Sequence, residues 1–224
     1  MFRFVLEQGF DRFPVGTYWN YSGGNMLLIM GFLKELYQVS GKTLVDHLLF
    51  SPLNIRKGFY EADQQDTPVG SSYLHLTPFE MIRIGLLYIN NGIWNGERIL
   101  SEDWIAQAQV PSEGLAHTKQ LTPEELVKYK KYVKDEGLHS NRSFWLNQDY
   151  PDLDFVHEFP NSPKDMYFAA GHYGQLLIII PSQKMVIART GHDKFYWDKI
   201  DRLTSKAIAC FSQTPEQVIT AQGK

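Results

Sequence analysis

The sequence predicts an α+β fold, and three observations carry that prediction. Helix start signals recur through residues 1–143, short apolar runs joined by turn clusters follow from Phe144, and one amphipathic stretch comes last. Helices first and hairpins afterwards segregate the two kinds of element, which is the α+β pattern. With 224 residues and no internal repeat, the chain reads as one domain, 1–224, large enough to bury a sizeable core. Within it, 1–143 is mainly helical with a loop insertion at about 111–141, and 144–224 holds the strands and the last helix.

The elements follow in order. Pro14-Val15-Gly16-Thr17 and Gly23-Gly24 are turn clusters. From Asn25 to Ser40 the residues are apolar on nearly every side, which predicts a buried helix with Gly41 as its C-terminal stop. Thr43 is expected to cap a short helix through Phe50, ahead of Pro52, and Arg56–Ser72 reads as loop. Thr77-Pro78-Phe79-Glu80 combines an N-cap threonine, a proline at the first helical position and a capping-box glutamate. That helix should run through Ile89 and stop at Asn91-Gly92. Ser101 opens another, closed by Pro111, and Thr122-Pro123-Glu124-Glu125 repeats the start signal.

Beyond Phe144 the period changes. Met166–Ala170, Gln175–Ile180 and Met185–Thr190 are apolar runs joined by Gly171-His172-Tyr173-Gly174 and Pro181-Ser182-Gln183-Lys184, which predicts an antiparallel meander. A helix over Trp197–Phe211 places Ile200, Leu203, Ala207 and Phe211 on one stripe.

Composition excludes several partners. A net charge of −3 leaves no electrostatic case for nucleic acid. The basic Leu126–Lys134 stretch reads as a solvated helix face, with Glu124 and Lys128 as a supporting pair and Asp135 and Glu136 offsetting its charge. The longest apolar run, Met26–Leu33, falls far short of the roughly 20 residues of a membrane span. Glu7 and Gln8 interrupt the apolar start too early for a signal peptide, so no export signal is expected and the compartment stays open. One cysteine, Cys210, allows no intrachain disulfide. Without a His-Glu-x-x-His or a cysteine pair, no metal or cofactor is expected, and Asp149–Asp154 reads as a turn with the wrong spacing for a calcium loop.

Three longer segments occur in an informative order: "PVGTYWNYSGGNMLLIMGFLKELYQVSGKTLVDHLLFSPLNI", "LTPFEMIRIGLLYINNGIWNGERILSEDWI" and "YFAAGHYGQLLIIIPSQKMVIARTG". Together they resemble the serine β-lactamase and penicillin-binding superfamily, in particular its class C-like branch of esterases and 6-aminohexanoate-dimer hydrolases. The resemblance implies a β-lactamase-like fold, an antiparallel sheet flanked by helices plus a helical region. That superfamily uses a serine in an S-x-x-K motif, a Tyr- or Ser-led second motif and a K-T-G-like third. Tyr21-Ser22-Gly23 matches the second, and His172-Tyr173-Gly174 the third with histidine in the lysine position. No serine has a lysine three residues on; Ser40 is followed there by Thr43 and Ser182 by Met185. The resemblance therefore implies the C-terminal part of a serine hydrolase that lacks its N-terminal portion, its nucleophile lying upstream.

By the same resemblance Tyr21 would carry the proton, His172 would face the cleft, and the Gln175 N–H would be an oxyanion donor. Ser22, Gly23, Tyr173 and Gly174 would line the substrate. Read from residue types alone, Tyr21 could equally be a packed ring and His172 a surface histidine. Gly23 stands where β-lactam-processing members carry an amide side chain, and His172 replaces a permanent cation. Both changes point to small esters or amides as substrates rather than penicillin-like acids. A non-catalytic binding or interaction domain that keeps the cleft is the alternative. Either way, a missing layer should leave an apolar face exposed for self-association or for the absent segment.

Overall fold

The computed structural model describes residues 1–8, 19–115, 122–124, 140, 142–194 and 196–211. The expected helix after Thr122 and most of the 111–141 insertion lie outside the described residues.

A four-stranded antiparallel sheet organises the molecule. Its strands β5 (Trp145–Leu146), β6 (Tyr167–Gly171), β7 (Gln175–Ile180) and β8 (Met185–Arg189) pair in sequence order; β6, β7 and β8 are the predicted meander, and β5 adds a strand too short for its sequence to mark. Phe168 pairs with Ile178, and Ile178 in turn with Ile187. The Leu176–Ile180 run is apolar at every position because both sheet faces are covered. Tyr167, Leu177 and Ile179 point to one face, where Met81, Ile84 and Tyr88 pack. Phe168, Leu176, Ile178 and Ile180 point to the other, against Ile200, Leu203 and Ile208. The alternation is the period of two that a pleated strand imposes.

The helix on the first face is α4 (Pro78–Ile89), and its start is the predicted capping box. At Gly85 it comes so close to the sheet that a Cβ there would sit 2.4 Å from a Val186 methyl. The chain leaves α4 at Gly92, whose φ of 82° and closeness to the Leu100 carbonyl exclude a side chain. A two-stranded ribbon, β3 (Ile93–Trp94) with β4 (Glu97–Arg98), then leads to α5 (Glu102–Gln107), capped by Ser101. On the second face lies α6 (Ile200–Phe211). On its inward stripe Ile200 and Thr204 are buried and Leu203 and Ile208 half-buried; Phe211, expected on that stripe, is 82% exposed because the helix outruns the sheet.

The N-terminal layer departs further from expectation. α1 (Phe2–Glu7) lies across α2 (Gly23–Tyr37), with the Phe2 ring pressed on Gly31. Only Leu27 and Gly31 of α2 are buried, so the predicted buried helix is a helix with one apolar face open. Ile29, Phe32 and Leu36 are 49, 63 and 63% exposed. α2 ends at Gln38 in the left-handed conformation, not at Gly41. Gly41 instead opens α3 (Gly41–Val45), and Ser40 rather than Thr43 caps it, accepting the Thr43 N–H at 3.0 Å. The glycine is needed because a Cβ would meet the Asp66 carbonyl oxygen at 2.1 Å. α3 runs on as a π-helical turn, Asp46–Phe50, whose Phe50 joins Val45, Leu53, Ile55 and Leu87 in a separate core. Within the expected Arg56–Ser72 loop, Phe59–Tyr60 (β1) pairs with Leu74–His75 (β2). Pro151–Leu153 is a turn, closed by a bridge between Tyr150 and Phe155. Among the described residues no helix is long and apolar enough to cross a membrane.

Candidate active site

Tyr21 stands immediately before α2. Ser22 takes the N-cap position with extended backbone, φ −137° and ψ 114°, and its side chain makes no cap bond. The helix then starts on two glycines. A Cβ on Gly23 would lie 3.0 Å from the Ser71 hydroxyl oxygen, and one on Gly70 2.5 Å from the Met26 carbonyl oxygen. The Gly-Gly start is thus a close crossing of two chain segments.

That crossing forms one wall of a cleft of about 600 Å³. Tyr21, Ser22, Gly23 and Ser71 line this side, and Trp145 of β5 with Ala169 and Ala170 of β6 line another. Ser112, Glu113 and Gly114 complete it, and the Trp19 N–H donates to the Gly114 carbonyl at 3.1 Å. Aromatic rings and hydroxyls predominate. Among the described residues, Glu113 is the charged residue of the lining, which holds no lysine or arginine.

His172, Tyr173, Gly174 and Gln175 are not lining residues of this cleft. His172, Tyr173 and Gly174 form the turn between β6, which ends at Gly171, and β7, which Gln175 opens. The Gly174 N–H donates to the Gly171 carbonyl at 3.2 Å. Tyr173 and Gly174 both have positive φ, 57° and 85°, an unusual backbone for a tyrosine. Neighbours hold it there. The Asp193 N–H donates to the Tyr173 carbonyl at 2.9 Å, and an Arg189 guanidinium N–H to the Gly174 carbonyl at 2.5 Å. The Gln175 side chain donates to the Gly191 carbonyl at 2.5 Å and accepts the Gly191 N–H at 3.3 Å. His172 is exposed, its ring edge-on to Tyr173 with centroids 4.1 Å apart, and Tyr173 meets His192 at 4.5 Å.

Tyr196 links the cleft to the turn. Its Cβ is 3.0 Å from the place a Gly174 side chain would occupy. Burial pushes its phenol above the ordinary tyrosine range, the nearby Tyr21 adds to this, and Arg189 opposes it. The sequence offers no signal for Tyr196 or Arg189 at this position, because neither belongs to a motif. Glu113 and Ser71 were also missed, as polar residues in loop-like segments. Among the described residues no three His, Cys, Asp or Glu side chains converge as metal ligands would. The arrangement offers a phenol, hydroxyls and a carboxylate around a small-molecule-sized space.

No protein-family model matches the chain, and no curated protein matches it. Solved structures do. A candidate 6-aminohexanoate-dimer hydrolase from Bacillus anthracis matches with a TM-score of 0.56 and 20% identity over 89% of this chain. A candidate β-lactamase from Bacteroides dorei matches with 0.60 and 15% over 93%. A β-lactamase from Mycobacterium bovis matches with 0.57 and 12% over 88%. The chain spans 44, 64 and 65% of those three proteins. With an antiparallel sheet between α4 and α6 and these structural neighbours, the chain has a β-lactamase-like fold.

Proposed function

We propose that the chain is the cleft-bearing C-terminal part of a serine hydrolase that transfers acyl groups from esters or amides. In this reading Tyr21 carries the proton and the acylated serine comes from residues outside these 224. The observation that carries it is the placement of Tyr21-Ser22-Gly23 on one wall of the cleft, with β6 on another wall leading straight into His172-Tyr173-Gly174. The hydrolase and β-lactamase neighbours support the same reading.

The chemistry follows from the groups present. Attack on the substrate carbonyl moves the serine proton to the phenolate form of Tyr21; Tyr21 gives it to the alcohol or amine as the acyl–leaving-group bond breaks, and water then releases the acyl group from the serine. A phenol ordinarily titrates near pH 10, so a neighbouring cation must hold it ready, the part that an S-x-x-K lysine would play. The Gln175 N–H is assigned as one oxyanion donor, and the rigid bracing of its hairpin suits that task. Gly23 presents no amide to a β-lactam side chain, which leaves small esters and simple amides as substrates. The open faces of α1 and α2, with Phe4, Ile29, Phe32 and Leu36, are covered by further chain or by a second copy.

Two measurements test this. The chain alone should show no stoichiometric mass shift with a fluorophosphonate, and a shift would place the nucleophile within it. Joined to an upstream segment carrying S-x-x-K, it should hydrolyse p-nitrophenyl acetate, and Tyr21→Phe should lower kcat by about 10²-fold or more. Undiminished turnover in Tyr21→Phe would remove Tyr21 from the mechanism.

A further inference from the structure

A second cavity, of about 280 Å³, opens where α6 meets the end of β8. Leu176 and Leu203 line it with the Tyr196 ring, and Arg189, Lys199, Arg202 and Lys206 supply four cations. One carboxylate answers them. Asp193 accepts Lys199 at 2.5 Å and Arg189 at 3.5 Å, whereas no carboxylate among the described residues pairs with Arg202 or Lys206. Among the described residues, the four cations of the cavity outnumber the carboxylates that pair with them by three.

The fold does not require this charge. α6 is anchored by Ile200, Leu203, Thr204 and Ile208, all apolar or neutral. Lys199, in the 3-10 turn Trp197–Lys199 that leads into α6, and Arg202 and Lys206 of α6 follow one another at spacings of three and four, which brings like charges close together. Such a cluster costs stability while empty and is relieved by a bound anion.

The geometry points to a binding site for a phosphate monoester bearing a small apolar substituent. A phosphate monoester brings nearly two negative charges and three acceptor oxygens, a better match to three excess cations than a carboxylate. The Arg202 guanidinium presents a planar fork of N–H donors to phosphate oxygens, while Arg189, engaged by Gly174 and Asp193, adds positive charge at the cavity edge. Leu176, Leu203 and the Tyr196 ring receive the apolar substituent. Arg189 also holds the Gly174 carbonyl, so the ligand contacts a side chain that braces the hairpin turn. The site is independent of acyl transfer.

Calorimetric titration of the chain with n-butyl phosphate tests the site, with inorganic phosphate, pentanoate and phosphatidylcholine vesicles containing phosphatidic acid as further arms. One-to-one saturable binding of n-butyl phosphate is expected, at least tenfold tighter than pentanoate and tighter than inorganic phosphate. The Arg202→Gln/Lys206→Gln double variant should bind at least tenfold more weakly with an unchanged circular-dichroism spectrum, and Lys206→Arg should retain binding. If the double variant does not fold, protection of Lys206 from acetylation by n-butyl phosphate in the unaltered chain replaces it. Absence of saturable binding, equal affinity for pentanoate, an affinity unmoved by the double variant, or binding to the vesicles alone would overturn the proposal.

Discussion

Two apolar segments meet opposite fates in this molecule. In β7, Leu176 to Ile180 are all buried, with Ile178, Ile179 and Ile180 fully hidden. In α2, the run from Met26 to Leu33 buries only Leu27 and Gly31, while Ile29 and Phe32 stand open. What packs opposite separates them. The strand alternates its side chains between α4 and α6 and finds a partner on both faces. The helix spreads its side chains around a full turn, and α1 with the Val69–Ser71 segment reaches only part of that circle.

The largest expected effect lies in the strand layer. Phe168 is fully buried, with Phe159, Trp145 and Trp197 around it. Phe168→Ala should cost about 3–5 kcal/mol in denaturant unfolding. A cost below about 1 kcal/mol would show that the sheet layer is no better packed than α2.

An intermediate effect belongs to Glu80, at the start of the helix that covers one face of β7. This buried carboxylate accepts the Thr77 N–H and hydroxyl at the start of α4 and the Arg56 and Lys57 N–H groups of the loop below it. Burial alone would raise its pKa, but the hydrogen bonds from Thr77, Lys57 and Arg56 outweigh that and hold it at about 2. A carboxyl depressed below its ordinary value of about 4.3 stabilises the fold above that pH and loses the contribution as pH falls toward 2. Glu80→Gln should cost about 2 kcal/mol near neutrality and remove this share of the acid sensitivity. Asp149, held low by the His157 N–H and by Lys164, remains in both proteins and cancels in the comparison. Parallel stability–pH curves for the two proteins between pH about 4.5 and 2 would contradict the assignment.

The smallest effect on stability is expected in α2. Phe32→Ser with Leu36→Ser should change unfolding free energy by no more than about 0.5 kcal/mol per site and reduce self-association in light scattering. Destabilisation of 2 kcal/mol or more would mean that the open face is a core within the single chain and would erase the contrast with β7.

Signals that are local in the chain were legible in advance. The Thr77–Glu80 capping box, the Ser101 cap and the Gly171–Gln175 and Ile180–Met185 hairpin connections place every partner within a few residues. Ser40 and Thr43 show the limit even there. Both can cap, and the choice of Ser40 follows from Gly41 lying under the Asp66 carbonyl, 25 residues away. The candidate site was legible only as far as its motifs reach: Tyr21, Ser22 and Gly23 line the cleft, and the His172 turn lies next to it. Tyr196 and Arg189, which connect to that turn, were not foreseen because their roles exist only across strand and helix packing.

The sequence by itself determined the kind and order of the longer elements, helices, then a meander, then a helix, while the two-residue ribbons β1–β2 and β3–β4 carry no signal of their own. The longer elements depend on backbone propensity, capping and side-chain alternation, all short-range. Only the tertiary structure decided which apolar faces are covered, which residues line the cleft and where four cations gather beside one carboxylate. Burial and electrostatic balance are sums over neighbours in space, and most of those neighbours are distant in the chain.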